Sequence, residues 1–538
     1  MEKRTFLAII LSIFVLFSYQ ALVTSKLTVK KQTNIENSQV SVNKGVASYQ
    51  EENKLPAPPK ETVRNDIPEK TITLENGKFS AVFSNIGGSL KSIEIKNAET
   101  LPVTKIATLQ EYQDSPYELV RSDNNSVSYR FINDIVEIQN NYEMSNQNNI
   151  VEQEIIIRNI SKMSNVNNVE LKAFQIDSNL LIKVNSAEAG LSEYGIGSGI
   201  KTFRKTGAQK FSQKEARTEE TNVSWVGFRN KFYCAVFKPE SEVFKYKVNP
   251  VSDKKLDIFV YPRSKNLEPG QEISFKSSYY FGLQDQDLLK SYGLGDFVVF
   301  SQYGLLDMIS KIVIKTVKFM YKFAPNYGIC LILVSVLIYL LMYPLTLKGM
   351  ISMRKMQALQ PEMTKIRELY KNNPQKMNQE VMNLYKENSI NPLGGCLPLL
   401  LQMPVFIALY QALWRSVVFQ GQGFLWIKDL SLPDRLFVLP NSVPLIGNEI
   451  NILPLVMMVA MFFQQKLSSK NMVITDQNQV MQQKMMLWFF PVFLGVLFYK
   501  FASGLNLYFT VFYTLSTLTQ LKMSKMNFIM DTENLKKI

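Results

Sequence analysis

Along the chain the apolar positions change their rhythm several times. From Thr5 to Val23 they form one run of about 19 residues, preceded by Lys3 and Arg4. That length approaches the ~20 residues a helix needs to cross hydrocarbon and exceeds the ~7–15 of a cleaved signal core, so residues 1–23 are expected to be an uncleaved transmembrane anchor. Residues 24–70 are rich in Asn, Ser, Gln and Lys and carry Pro56, Pro58, Pro59 and Pro68. Such a stretch cannot bury a core and reads as a flexible linker. From 71 to 285 the period falls to two. Val127, Tyr129 and Phe131 alternate with polar residues, as do Ile258 and Val260, and Ile273 and Phe275. Asn85-Ile86-Gly87-Gly88 and Asn124-Asn125 supply turn chemistry between such runs. The pattern predicts a large antiparallel β-sandwich.

Beyond it the period lengthens to that of a helix. Between 303 and 323, Lys311, Lys315, Lys318 and Lys322 recur at steps of 4, 3 and 4 and share one face. Leu305, Ile309, Ile312, Val313, Met320 and Phe323 fall opposite, the pattern of an amphipathic helix lying among lipid headgroups. Long apolar runs follow, from Tyr327 to Leu347, Leu397 to Phe419 and Ile452 to Gln465. A last run, Met485 to Leu521, exceeds one span, and Lys500 with Ser503-Gly504 divides it into two helices. With the anchor, the expected fold is a polytopic α-helical membrane protein of six transmembrane helices. Five of them form a core over 325–525, and the β-sandwich stands outside.

Charge orients this plan. The net charge is +14, and the lysines and arginines of the helical half gather in alternate loops. The loop 348–392 holds Lys348, Arg354, Lys355, Lys365, Arg367, Lys371, Lys376 and Lys386, whereas the intervening loops hold few. Basic loops stay in the cytoplasm. Both termini are therefore expected inside, including the tail 526–538, with the β-domain periplasmic in a bacterial inner membrane. The basic balance is a topology signal, and no direct nucleic-acid partner is needed to explain it. The chain has no histidine, which removes Ser–His–Asp, Cys–His and His-ligated zinc chemistry. Cys234, Cys330 and Cys396 are too scattered for a metal cluster or a disulfide framework. No enzyme activity, metal or cofactor is expected.

The spans are not wholly apolar. Ser335 and Tyr339 lie one turn apart in the second, Gln402 sits in the third, and Asn506, Thr510, Tyr513, Thr517 and Gln520 recur at 4, 3, 4 and 3 in the last. Two readings are open: ordinary hydrogen bonding between helices, or a hydrated slot that receives polar backbone. Methionines dot the first basic loop, among them Met350, Met353, Met356, Met363, Met377 and Met382. They suit either the core of a helical hairpin, with breaks near Pro361 and Pro374, or a surface for varied apolar partners.

Several motifs narrow the field. They are Met342-Tyr343-Pro344-Leu345-Thr346, Asn391-Pro392-Leu393-Gly394-Gly395-Cys396-Leu397-Pro398, and Leu401-Gln402-Met403-Pro404. Further on come Phe424-Leu425-Trp426-Ile427-Lys428-Asp429-Leu430, Gln482-Gln483-Lys484-Met485-Met486 and Ser503-Gly504-Leu505. Over about 300–525 the chain resembles the YidC/Oxa/Alb family of membrane protein insertases, in its Gram-negative branch with a large domain after the first span. The resemblance implies a cytoplasm-open groove closed toward the outside, lined here by Ser335, Tyr339, Gln402, Asn506, Tyr508, Thr510, Tyr513 and Thr517. It also implies that the cytoplasmic hairpin 348–392, with Met350, Met353, Arg354, Lys355 and Met356, meets the client first. The implied partners are nascent membrane proteins, the Sec translocon and the phospholipid bilayer, with the ribosome left open. One departure stands out. Many members carry an arginine where this chain has Tyr339, and no Lys or Arg lies between Tyr327 and Leu347. A tyrosine often found in the last span is Phe509 here. Two other classes share parts of this pattern, a small-solute transporter and a membrane-anchored carbohydrate-binding protein. Against the first, the span interiors hold no Asp, Glu, Lys or Arg.

Overall fold

The computed structural model describes residues 68–96, 101–106, 108–146, 148–166, 169–180, 192–198, 202–206, 210–263, 267–301, 303–390, 397–443, 447–469 and 485–525. The expected anchor, most of the linker, the Asn391–Cys396 motif, the loop 470–484 and the tail 526–538 lie outside them. Two compact units divide the chain at Val298 and Val299.

The first unit is built of strands. In chain order they are β1 (Thr71–Glu75), β2 (Phe79–Ser84), β3 (Ser89–Ile95), β4 (Val103–Thr104), β5 (Thr108–Leu109) and β6 (Glu118–Ser122). Next come β7 (Ser126–Ile132), β8 (Val136–Met144), β9 (Ile150–Asn159), β10 (Leu171–Asp177), β11 (Glu193–Ser198) and β12 (Thr202–Thr206). The set closes with β13 (Arg217–Glu220), β14 (Val223–Arg229), β15 (Tyr233–Pro239), β16 (Val243–Pro250), β17 (Lys255–Pro262) and β18 (Glu272–Leu283). A nine-stranded sheet runs β12-β11-β14-β15-β18-β9-β8-β7-β6. A second sheet runs β13-β16-β17-β10-β4, with β5 also on β10, and β1-β2-β3 forms a third. Every pairing between strands is antiparallel. Alternation decides which side is buried. Val127 and Tyr129 of β7, Val136, Ile138 and Tyr142 of β8, and Ile258 and Val260 of β17 all enter one apolar core shared by the sheets. A one-residue slip would turn each set outward, so the period of two also pins the register. The tight β2–β3 turn needs its glycines, because Gly87 and Gly88 have φ of +71° and +51°.

Two charged clusters are buried here. Lys172 Nζ lies 2.7 Å from Asp257, whose other oxygen accepts from Gln175 Nε2 at 2.7 Å. Burial pulls the lysine's pKa below its ordinary value against the attraction of Asp257. Glu193 takes both Arg204 and Arg229 at 3.0 Å. Arg204 also donates to the carbonyls of Asp296 and Phe297 at 3.0 and 2.7 Å. It thereby straps the segment after helix α1 (Gln286–Ser291) to the sheet. Leu289, Leu294, Phe297 and Val298 pack there with Trp225, Val236 and Tyr280.

The second unit is helical. It contains α2 (Gly304–Tyr321), α3 (Tyr327–Ala358), α4 (Gln360–Leu369), α5 (Pro374–Glu387), α6 (Leu397–Arg415) and α7 (Leu453–Ser469). A π turn, Met485–Phe489, leads into α8 (Phe490–Leu497), and after a 3-10 turn, Phe498–Lys500, comes α9 (Ser503–Lys525). Between α6 and α7 the short hairpin β19 (Phe437–Val443) and β20 (Gly447–Ile450) projects. Among the described residues one helix, Tyr327–Met353, is long and apolar enough to cross a membrane by itself; Leu453–Ser468 and Met485–Lys500 are apolar but shorter. The helices α4 and α5 form a hairpin around Leu359, Met363, Leu384 and Ile390. Pro361 opens the first and Pro374 the second, where a proline costs no intrahelical bond, and Asn373 caps α5 by accepting from Lys376 N at 3.1 Å.

Candidate functional site

The helical unit is packed unevenly from end to end. Its core joins Cys330, Leu331 and Val334 near the start of α3, Leu409, Ala412 and Leu413 near the end of α6, and Leu453 and Met457 at the start of α7. Phe498, Leu505, Tyr508 and Phe509 belong to it too. All belong to one end of the bundle, where α3, α7 and α9 begin and α6 finishes. Along α9 the change is abrupt: every residue from Ser503 to Phe509 is buried, and from Thr510 to Lys522 only Ser516 is. On α7 no described side chain beyond Met461 is buried, and on α3 none is between Leu340 and Leu345.

The loop after α6 plugs the tight end. Ile427 and Leu430 are buried in the core, and Ser503 N and Gly504 N donate to the carbonyls of Leu432 and Leu430 at 2.7 and 2.9 Å. The loop thus satisfies N–H groups that a helix start leaves without partners. Gly504 permits the approach. A Cβ there would stand 3.0 Å from Leu413 and 3.1 Å from both Leu331 and the Leu430 carbonyl. The sequence pattern suggested a turn at Ser503-Gly504; the turn falls instead at Phe501-Ala502, and both residues sit in the first turn of α9. Asp434 is the plug's other tie. Its Oδ2 accepts from Ile452 N at 2.8 Å, Leu453 N at 3.0 Å and Trp426 Nε1 at 3.1 Å.

The polar residues assigned to the groove lining each have a definite place. Gln402 Nε2 donates to the Tyr508 hydroxyl, tying α6 to α9 inside the core. Tyr339 shares a 2.6 Å hydrogen bond with Thr519, tying α3 to α9 on the looser side, and its ring stands edge-on to Phe512. Asn506 Nδ2 reaches the Phe498 carbonyl at 3.2 Å, while its Oδ1 is buried with no hydrogen-bond partner. The remaining hydroxyls bond their own helix: Ser335 to the Leu331 carbonyl at 2.6 Å, Thr510 to Asn506 at 2.8 Å and Thr517 to Tyr513 at 2.8 Å. Tyr513 stacks on Phe509. The structure therefore brings together Gln402 with Tyr508, and Tyr339 with Thr519, but does not join Ser335 to Tyr339 or link the threonines across helices. Thr519 was not legible in the sequence, since it lies off the stripe that Thr517 and Gln520 mark. A second tie also went unread: Ser310 of α2 donates to the Ala408 carbonyl of α6 at 2.8 Å.

The amphipathic helix α2 differs from its sequence reading in an informative way. Its apolar residues divide between two faces. Val313, Ile314 and Val317 are buried in the core, whereas Leu305, Met308, Ile312, Phe319 and Phe323 stay exposed. At 100° per residue the Lys311, Lys315, Lys318 and Lys322 row falls between these faces. Packing against α6 and α3 took one apolar side, and a second remained. Lys311 also pairs with Asp307 at 2.8 Å. In the hairpin, Met363 is core, accepting from the Tyr385 hydroxyl at 3.2 Å, and Met356 packs beside it. Met350, Met353 and Lys355 are half-buried at the end of α3. The Arg354 side chain lies outside the described residues.

Comparison with known proteins agrees with this architecture. The family described as 60Kd inner membrane protein matches residues 319–530, and the YidC periplasmic domain matches 71–316. A membrane protein insertase YidC from Geotalea daltonii is 30% identical over 95% of this chain and 97% of its own. Another from Geobacter metallireducens is 30% identical over 98% of each. A solved active YidC insertase is 17% identical over 86% of this chain and 93% of its own, with a TM-score of 0.38. The protein is accordingly a membrane protein insertase of the inner membrane, with a periplasmic β-domain, and not an enzyme. It belongs to the YidC family. Its substrates are membrane proteins in the course of their insertion.

Proposed function

We propose that the helical unit works as a slot closed at its periplasmic end and open to the cytoplasm and the inner leaflet. The observation that carries this reading is the uneven packing: α9 is wholly buried from Ser503 to Phe509, whereas beyond it Thr510, Tyr513 and Thr517 are half-buried and Thr514, Leu518 and Leu521 are exposed. A client's polar stretch waits in the looser half while its apolar segment passes into lipid. Burial of that segment, at ~25 cal/mol per Å², supplies the driving force, and the slot lowers the several kcal/mol that each bare backbone group costs in hydrocarbon. Ser335, Tyr339, Gln402, Asn506, Tyr508, Thr510, Tyr513 and Thr517 are assigned to its wall and floor. Between Tyr327 and Leu347, α3 supplies no groove cation. Its place is taken by Tyr339, whose hydroxyl is engaged by Thr519, so recognition here rests on neutral hydrogen bonding and not on attraction of acidic tails.

The remaining assignments follow the same frame. Six spans, the first at 1–23, place both termini in the cytoplasm; the short α7 and the Met485–Lys500 segment cross at the locally thinned site. The helix α2 lies among outer headgroups, its lysines toward phosphate and its exposed apolar side toward acyl chains. The α4–α5 hairpin, with Met350, Met353, Arg354, Lys355 and Met356 at its base, receives the client, and the Sec translocon is the proposed partner for larger clients. Replacing Gln402, Asn506 and Thr510 together by Leu is expected to lower insertion of a client with a polar tail in proteoliposomes. An unchanged yield from a stably folded variant would leave these residues with a packing role alone.

A further inference from the structure

The plug carries an exposed tip that sealing the bundle does not require. Phe424 N and Ile427 N exchange hydrogen bonds with each other's carbonyls at 2.8 and 2.9 Å, which makes Leu425 and Trp426 the two central residues of a tight turn. Leu425 adopts φ of +52°, the left-handed region that suits Gly, Asn or Asp, and bulky apolar residues there are genuine outliers. The other non-glycine residues with positive φ among the described residues are Lys105, Ser389 and Arg435, all polar. Leu425 is nevertheless 76% exposed and Trp426 38%. Strain that holds an apolar side chain out in the open points to use of that side chain.

Its neighbours say what it meets. The ring of Phe424 lies directly on Gly328 in the first turn of α3, where Ile329 is exposed. The indole N–H of Trp426 shares the Asp434 carboxylate with the first amides of α7, where Leu455 and Val456 are exposed. The tip thus continues the apolar outer faces of two helices at their outer ends. A tryptophan with its polar edge satisfied and its ring half out is suited to the boundary between headgroups and acyl chains. We propose that the Phe424–Ile427 turn is a lipid anchor, with Leu425 dipping into the acyl chains of the outer leaflet and Trp426 at headgroup level, so that the plug is held by the bilayer as well as by the helices. This rests on the reading above that α3 and α7 span the membrane with the plug at its outer surface.

The test is site-directed spin labelling of the full chain in phosphatidylethanolamine–phosphatidylglycerol liposomes, with the native cysteines replaced by Ala. Leu425→Cys is compared with Leu333→Cys, which stands on the exposed side of α3. Collision with oxygen exceeding collision with a polar nickel chelate at both positions is the expected result. A label at 425 that meets the chelate freely, with 333 still in lipid, overturns the anchor and leaves the spanning reading intact. A label at 425 shielded from both reagents also overturns it, in favour of a protein partner or a second copy. Chelate access at 333 would sink the spanning reading and the anchor with it. A second variant, Leu425→Asn, keeps a residue that tolerates positive φ. Its unfolding midpoint in detergent is expected to hold or rise, and a clear fall would mark Leu425 as a packing residue and overturn the proposal.

Discussion

The two ends of the helical unit solve the same problem in opposite ways. At the plugged end, buried polar groups are tied between segments: Asp434 holds two amides and an indole, and Gly504 lets the loop carbonyls reach the first amides of α9. At the other end the helices keep their hydroxyls busy within themselves, as Thr510 and Thr517 do, and leave their sides half-open. One end is built from tight tertiary packing, the other from half-open helices joined at points such as Tyr339–Thr519. That difference suits a protein that must be firm where it closes and accommodating where a client enters.

Mutations that strike the two ends unequally sharpen the contrast. Leu505→Ala or Leu430→Ala, both at fully buried positions, is expected to cost about 2–5 kcal/mol. The matched Leu518→Ala, at an exposed position of the same helix, should stay within about 0.5 kcal/mol. Denaturant unfolding of the purified chain in detergent compares them, and equal losses would erase the distinction. Gly504→Val should cost about 1–3 kcal/mol, because its new Cβ has no room between Leu413, Leu331 and the Leu430 carbonyl. Asp434→Ala removes the cap of α7 and should cost about 0.5–2 kcal/mol, with a shift in Trp426 emission as the indole loses its partner. Smallest is Thr517→Val. Its hydroxyl bonds its own helix, so stability should move by no more than about 0.5 kcal/mol, while insertion of a polar-tailed client falls. A loss of stability with insertion intact would assign Thr517 to packing.

What the sequence made legible was whatever depends on local period and turn chemistry. Val127 and Tyr129 announced the buried side of β7, Gly87-Gly88 announced the β2–β3 turn, and Pro361 and Pro374 marked the starts of α4 and α5. The site was legible as an inventory and not as an arrangement. The stripe from Asn506 to Gln520 correctly puts polar residues on one side of α9, but the period of a helix cannot say whether a threonine turns to a neighbour or to its own carbonyl. Nor does any spacing reveal that Tyr339 meets Thr519, 180 residues away. On α2 the lysine row was plain, yet the division of its apolar residues into two faces depended on what α3 and α6 came to cover. Gly504 carried the same ambiguity, since a glycine needed for close approach looks like one needed for a turn.

The most direct measurement is the rate at which a membrane-impermeant maleimide, supplied from the cytoplasmic side of proteoliposomes, modifies single cysteines placed along α9. Thr517→Cys should react quickly and Asn506→Cys hardly at all, with Tyr513→Cys between them. Equal and negligible rates at all three positions would mean that the bundle is dry from end to end, and the half-open slot would be contradicted.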